Sequence, residues 1–170
     1  AVFNNLDSGG EDRQAVAGSG NFILGAWDGK IGFYRDDWIS RTVTRVKSTY
    51  YVAVAQSDSS TSAFFLDGTN RTTNSTPRGS PSTIYLGRGG LHNKPLNGHI
   101  GEVLIFDRFL NEVDRSKMEW YLGQKWGVSG PSPSGLGVYA NDSGTTDSGK
   151  EYLLGKMNLR VATQAEKTRA

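Results

Sequence analysis

Residues 97–127, NGHIGEVLIFDRFLNEVDRSKMEWYLGQKWG, decide the fold. Ile100, Val103, Leu104, Ile105 and Phe106 make a dense apolar run with β-branched and aromatic members. Such a run predicts a strand over residues 100–106 covered on both faces. Asp107 and Arg108 end it. Asn111 is a good N-cap, and Glu112 and Asp114 place negative charge in the first helical turn, where the dipole favours it. No proline or β-branched run interrupts the chain from there to Lys125, and Met118, Tyr121, Leu122 and Trp126 fall on one side. Gly127 suits the left-handed position after the last turn. The stretch therefore predicts a buried strand leading into one amphipathic helix near residues 112–126, roughly four turns long.

Upstream, the pattern is of short strands. Val2 and Phe3 open one, residues 13–17 suggest another, and residues 22–27 and 30–34 flank the hairpin signal Asp28-Gly29. Alternation predicts a strand over residues 42–46, and Tyr50-Tyr51-Val52-Ala53-Val54-Ala55 reads as a buried one. Ala63-Phe64-Phe65-Leu66 runs into a second Asp-Gly turn, Asp67-Gly68, and residues 83–87 form a further strand. Short strands at close spacing with such turns predict an all-β sandwich. A helix with one apolar side and strands covered on both faces need each other as cover.

Composition narrows the function classes. The chain of 170 residues suits one domain with or without a tail, and its formal net charge of +2 makes no case for nucleic acid. Cysteine is absent, which excludes disulfides and thiol chemistry. No run of about 18 apolar residues exists to insert in a membrane, and no signal peptide is visible. Past Gly127 the composition shifts. Residues 129–149 are rich in Gly, Ser and Pro and predict a linker. Residues 150–170 hold five Lys/Arg against two Glu, with a few apolar anchors. They read either as a solvated tail or as an extended basic arm that orders against a neighbouring subunit through Lys150, Tyr152, Lys156 and Arg160.

Three segments together resemble the laminin G-like branch of the concanavalin A-like lectin/glucanase superfamily. They are Tyr50-Tyr51-Val52-Ala53-Val54, then Ala63-Phe64-Phe65-Leu66-Asp67-Gly68, then residues 96–108, LNGHIGEVLIFDR, followed by a helix ending at Lys125-Trp126-Gly127. The resemblance covers roughly residues 20–127. It implies a two-sheet antiparallel jelly roll over residues 1–128. Family members carry several more strands ahead of the position of Val2. The front of the sandwich is therefore expected to be completed by strands missing from this chain or by another chain.

The superfamily includes glycan hydrolases, whose Glu-x-Asp-x-(x)-Glu strand motif is absent here. Glu102 and Asp107 are five apart, which on a regular strand puts them on opposite faces, so they make no acid pair. Glu102 is expected to be a structural acceptor, and His92 and His99 polar surface. Gly87-Arg88-Gly89-Gly90 lacks the Lys-Ser/Thr and helix of a phosphate loop and predicts a turn.

The best collection for a sugar, an aromatic plane with polar groups for hydroxyls, is Trp27, Tyr34, Arg35, Asp37 and Trp38, with Asp28 nearby; the alternative is that Trp27 and Tyr34 are core residues or cross-strand pairs. Asp36, Asp67 and Asn70 are the calcium candidates, although no loop has a dense ligand pattern. Asn70, Asn74 and Asn141 head glycosylation sequons. The expectation is a non-catalytic structural or adhesion module of a larger extracellular assembly, with a virion surface favoured. Its partners would be subunits of that assembly and surface glycans. The alternative is a carbohydrate-binding module of a secreted enzyme or bacterial adhesin.

Overall fold

Alternation along short strands sorts the chain into two sheets. The computed structural model describes residues 1–7, 10–19, 21–77, 81–88 and 93–128. The expected linker and basic arm, with Lys150, Tyr152, Lys156 and Arg160, lie outside the described residues, as do His92, Gly89, Gly90 and Asn141. In chain order the strands are β1 (Val2–Phe3), β2 (Arg13–Gly18), β3 (Phe22–Trp27), β4 (Lys30–Arg35) and β5 (Trp38–Thr44). They continue as β6 (Tyr51–Ser57), β7 (Ser62–Leu66), β8 (Thr69–Asn70), β9 (Ile84–Leu86) and β10 (Ile100–Glu102), before the helix α1 (Glu112–Trp126). One five-stranded sheet has the order β10-β1-β6-β7-β8 and the other β5-β4-β3-β2-β9. All strand pairs in both are antiparallel. The described residues form a β-sandwich with one helix.

The inner faces share a single core. Phe3, Tyr51, Ala53 and Phe64 of the first sheet meet Phe22, Leu24, Ile31 and Phe33 of the second. Phe33 and Phe64 lie 6.4 Å apart between ring centroids and tie the layers together. Both Asp-Gly signals are hairpin turns: Asp28 and Gly29 have φ of 49° and 70°, and Asp67 and Gly68 of 51° and 75°. Two consecutive left-handed residues match the twist of the flanking strands.

The helix covers the outer face of β6. Val52 and Val54 alternate with the inward Tyr51 and Ala53, and all four are buried. Leu122 and Met118 of α1 are buried as well, and the Leu110 N–H leading into α1 donates to Gln56 Oε1 of β6 at 2.8 Å. The predicted caps are both present. Asn111 Oδ1 accepts the Asp114 N–H, and Gly127 adopts φ 66° while its N–H returns to Gly123 O.

Three expectations need correction. The apolar run at residues 100–106 is a strand only over Ile100–Glu102, and Ile105 is 69% exposed. A strand exists only where it has a partner, and β1, the partner of β10, spans two residues. The strand expected at residues 42–46 starts earlier, at Trp38, because Asp36, with φ 56°, makes a tight turn from β4. It also stops earlier, because Arg45 turns inward and donates to Glu11 O at 3.0 Å. On α1, the buried face carries Arg115 and Glu119 in place of Tyr121, which stays half-buried beside Lys125. Arg115 fits there because its guanidinium lies over Phe65, 3.7 Å from the ring centroid.

If α1 is held by this packing, Leu122→Ala, at a site with no exposure, destabilises the domain by about 2–5 kcal/mol. Val113→Ala, on the solvent side of the same helix, changes stability by less than about 0.5 kcal/mol. Urea unfolding of the two variants measures the contrast.

Candidate functional site

The aromatic residues picked out by sequence come together on the outer face of the second sheet. Trp27 of β3, Tyr34 of β4 and Trp38 of β5 are all half-buried. Trp38 stands edge-on to both neighbours, 5.2 Å from Tyr34 and 6.1 Å from Trp27 between centroids. β3 and β5 are not adjacent; β4 lies between them. Their rings meet because β4 presents Gly32 at that point. A Cβ on Gly32 would come within 2.9 Å of Cζ3 of Trp38.

Two irregularities in the pairing of β4 with β5 complete the arrangement. Gly32 pairs with Arg41 and Tyr34 with Trp38, so β5 carries an extra residue relative to β4. In a regular strand Trp38 and Arg41, three apart, would face opposite sides; the bulge brings both to the aromatic face. The Arg41 guanidinium lies 4.7 Å from the centroid of the Trp38 ring and donates to Asp28 Oδ2 at 2.6 Å. Arg41 and Asp28 are 31% and 67% exposed, so this ion pair stands in water and contributes at most about 1 kcal/mol. Sequence reading missed Arg41, because nothing in Trp38-Ile39-Ser40-Arg41 marks a bulge.

The other expected residues are placed differently. Arg35 is buried and, by the alternation of β4, shares the inner side with Ile31 and Phe33, away from Tyr34. It donates to Asp36 Oδ2 at 3.3 Å. Asp37 belongs to the β4–β5 turn, where Oδ1 accepts the Trp38 N–H at 2.7 Å and Oδ2 accepts from Asn74 at 3.1 Å. It lies beside the row and steadies Trp38.

The calcium candidates each accept a hydrogen bond within the fold. Asp36 accepts from Asn21, Asp67 from the Val52 N–H, and Asn70 from the Thr72 N–H. Burial raises the Asp67 pKa, although the Val52 N–H and Arg71 pull it down. Among the described residues no group of three or more acidic, histidine or cysteine side chains is placed to hold a metal.

Glu102 ties the end of α1 to β10. Its Oε2 accepts from Trp126 Nε1 at 3.1 Å and pairs with Lys125 Nζ at 2.9 Å. That bond to Glu102 raises the Lys125 pKa. The Trp126 ring lies against Gly101 and stacks on Tyr50, 6.5 Å away between centroids. Asp107 belongs to no strand.

Comparison of the chain with family models, curated proteins and solved structures returned no match. No helix among the described residues is long and apolar enough to cross a membrane.

One buried cluster titrates near neutrality. Burial pushes the Glu119 pKa up to about 7, although its partner Arg115 and the Ala1 amine pull it down. Burial pushes the Ala1 amine down to about 5, against the raising effect of Glu119 and Glu102. The folded state therefore binds the Glu119 proton more tightly than the unfolded chain does. Stability from this group is greatest at acid pH and is lost as pH rises towards 7. The amine binds its proton less tightly when folded, so its contribution rises with pH between about 5 and 8. From pH 5 to 7 the two slopes offset each other. Glu119→Gln removes one of them and leaves Arg115 poorly paired. The urea midpoint of that variant should be lower at every pH, and should climb between pH 5 and 7 where the unaltered chain stays nearly level.

Proposed function

We propose that the chain is a non-catalytic structural and adhesion module of a larger extracellular assembly, a virion surface being the setting we favour. In this reading the sandwich is a laminin G-like jelly roll, and its partners are subunits of the same assembly and surface glycans. The observation that carries it is the row of Trp27, Trp38 and Tyr34 on one outer face, with Arg41 and Asp28 at its edge. Aromatic rings supply flat apolar surface for the C–H face of a sugar. A guanidinium and a carboxylate supply donors and acceptors for its hydroxyls. The bonding of Glu102 to Trp126 and Lys125 supports a module that holds its ligand without transforming it. A second reading, a carbohydrate-binding module of a secreted enzyme or bacterial adhesin, uses the same row and differs only in the larger protein that carries it.

On a glycan array, the chain should retain a subset of glycans. Trp38→Ala should weaken that retention about tenfold, the equivalent of ~1.4 kcal/mol, with an unchanged circular dichroism spectrum. Tyr85→Ala, at an exposed aromatic residue of β9 outside the row, should leave it intact. A blank array with the unaltered chain would remove glycan binding from both readings.

A further inference from the structure

The bulge behind the aromatic row has an anchor outside its own sheet. Trp38 pairs with Tyr34, Ser40 with Phe33 and Arg41 with Gly32. Ile39 is therefore the extra residue that turns Trp38 and Arg41 to one face. β5 is an edge strand, with β4 as its only neighbour in the sheet. The Ile39 carbonyl nonetheless collects three donors: the Thr73 N–H at 2.9 Å, the Asn74 N–H at 3.1 Å and Thr73 Oγ1 at 3.0 Å. A carbonyl oxygen has two lone pairs, so this acceptor is saturated.

The Asn74 side chain reaches the adjoining turn. Its Nδ2 donates to Asp37 Oδ2 at 3.1 Å, and Asp37 Oδ1 accepts the Trp38 N–H at 2.7 Å. Thr76 orients that amide. Its N–H and Oγ1 both donate to Asn74 Oδ1, at 3.0 and 2.6 Å, which leaves Nδ2 for Asp37. Residues 71–76 themselves run from β8 along β7 of the first sheet. The Arg71 N–H donates to Phe64 O at 2.8 Å, Thr72 Oγ1 accepts the Phe64 N–H at 2.9 Å, and the Ser62 N–H donates to Ser75 O at 3.1 Å. The segment is a strap, held at both ends by one sheet and bonded at its middle to the edge of the other.

We propose that Thr73 and Asn74 are positioning residues for the ligand-binding row, an inference that rests on the glycan reading of that row. The strap holds the Ile39 bulge and the Asp37 turn, and so sets Trp38 and Arg41 in the one arrangement that a ligand meets. A bulge on an edge strand has a ladder on one side alone to define its register. Loss of the extra residue would send Trp38 and Arg41 to opposite faces. The half-buried rings lack the packing to prevent that slip by themselves. Three hydrogen bonds on the bulged carbonyl and one on the turn carboxylate supply the second side. Both residues act through Ile39 and Asp37, not by contact with the sugar. Affinity at the outer face of the second sheet is in this way set by a segment anchored in the first.

Asn74→Asp tests this, because it replaces the donor to Asp37 by a second carboxylate of the same shape. Near pH 7 the two carboxylates repel; near pH 4 they share a proton and the bridge is remade. Affinity for a glycan that the unaltered chain retains should fall about tenfold near pH 7. Near pH 4 it should return to within about threefold of the unaltered chain at the same pH. Combining Asn74→Asp with Asp37→Asn reverses the bridge and should restore binding near pH 7. Thr73→Val removes one donor to Ile39 and should weaken binding about threefold. A second readout needs no ligand. The Arg41 guanidinium lies 4.7 Å from the Trp38 ring centroid, so the adjoining Arg41 protons should carry a ring-current shift in the NMR spectrum. Asn74→Asp should abolish that shift near pH 7, and the double variant should bring it back. Unchanged affinity and an unchanged Arg41 shift in Asn74→Asp would overturn the proposal, as would losses that the double variant leaves in place. If Asn74→Asp does not fold, the same two readouts on Thr73→Val decide, and no change in either overturns it. A blank glycan array would remove the glycan reading alone, because the Arg41 shift still reports whether the strap sets the row.

Discussion

The domain depends on β6 being covered from both sides. Its inward residues, Tyr51 and Ala53, belong to the core between the sheets, and its outward residues, Val52 and Val54, lie under α1. A strand with apolar side chains on both faces is stable only between two layers. The second sheet supplies one layer and a single helix the other. This constraint explains why α1 is capped at both ends and fastened at both ends. Gln56 of β6 holds its approach through the Leu110 N–H, and Glu102 of β10 holds its last turn through Trp126 and Lys125. It also explains why a charged pair is tolerated beneath the helix. Arg115 lies over Phe65 and pairs with Glu119, so the face is filled without a wholly apolar residue set.

The second sheet has a different logic on its outer face. There the side chains are large and aromatic, and they meet across a missing one. Gly32 opens a gap in β4, Trp27 and Trp38 close over it from the strands on either side, and Arg41 caps the result. Half-buried rings beside a loosely held ion pair are suited to trading an internal contact for an external one. Buried Arg35, on the inner side of the same strand, stabilises the turn and takes no part in that exchange. The cavity between residues 53–58 and 103–108 is a third kind of surface, lined by apolar side chains such as Phe22, Leu24 and Met118 and by the polar Gln56, Asp58 and Arg108.

Much of this is legible in the order of residues alone. Asp28-Gly29 and Asp67-Gly68 specify their hairpins because Gly, and to a lesser degree Asp, accepts a positive φ without large strain. Asn111 and Gly127 bound the helix because each satisfies backbone groups that the helix itself leaves free. The alternation of β7 marks which of its residues reach the core. These are local effects, decided within a few residues. They establish short strands with one helix over the described residues, and they place Trp27 and Tyr34 on strands.

Tertiary structure alone decided the rest. Residues 103–106 have the composition of a strand, but pairing belongs to two segments, and β1 reaches only as far as Val2. Trp38 and Arg41 share a face because β5 carries extra residues opposite β4, a fact about register that neither strand contains by itself. Arg115 and Glu119 are buried because Phe65, some fifty residues earlier in the chain, offers a ring to lie on. Local sequence sets what each segment prefers to be; which preferences are realised depends on the neighbour that supplies the missing hydrogen bonds and cover, and that neighbour is distant in the chain.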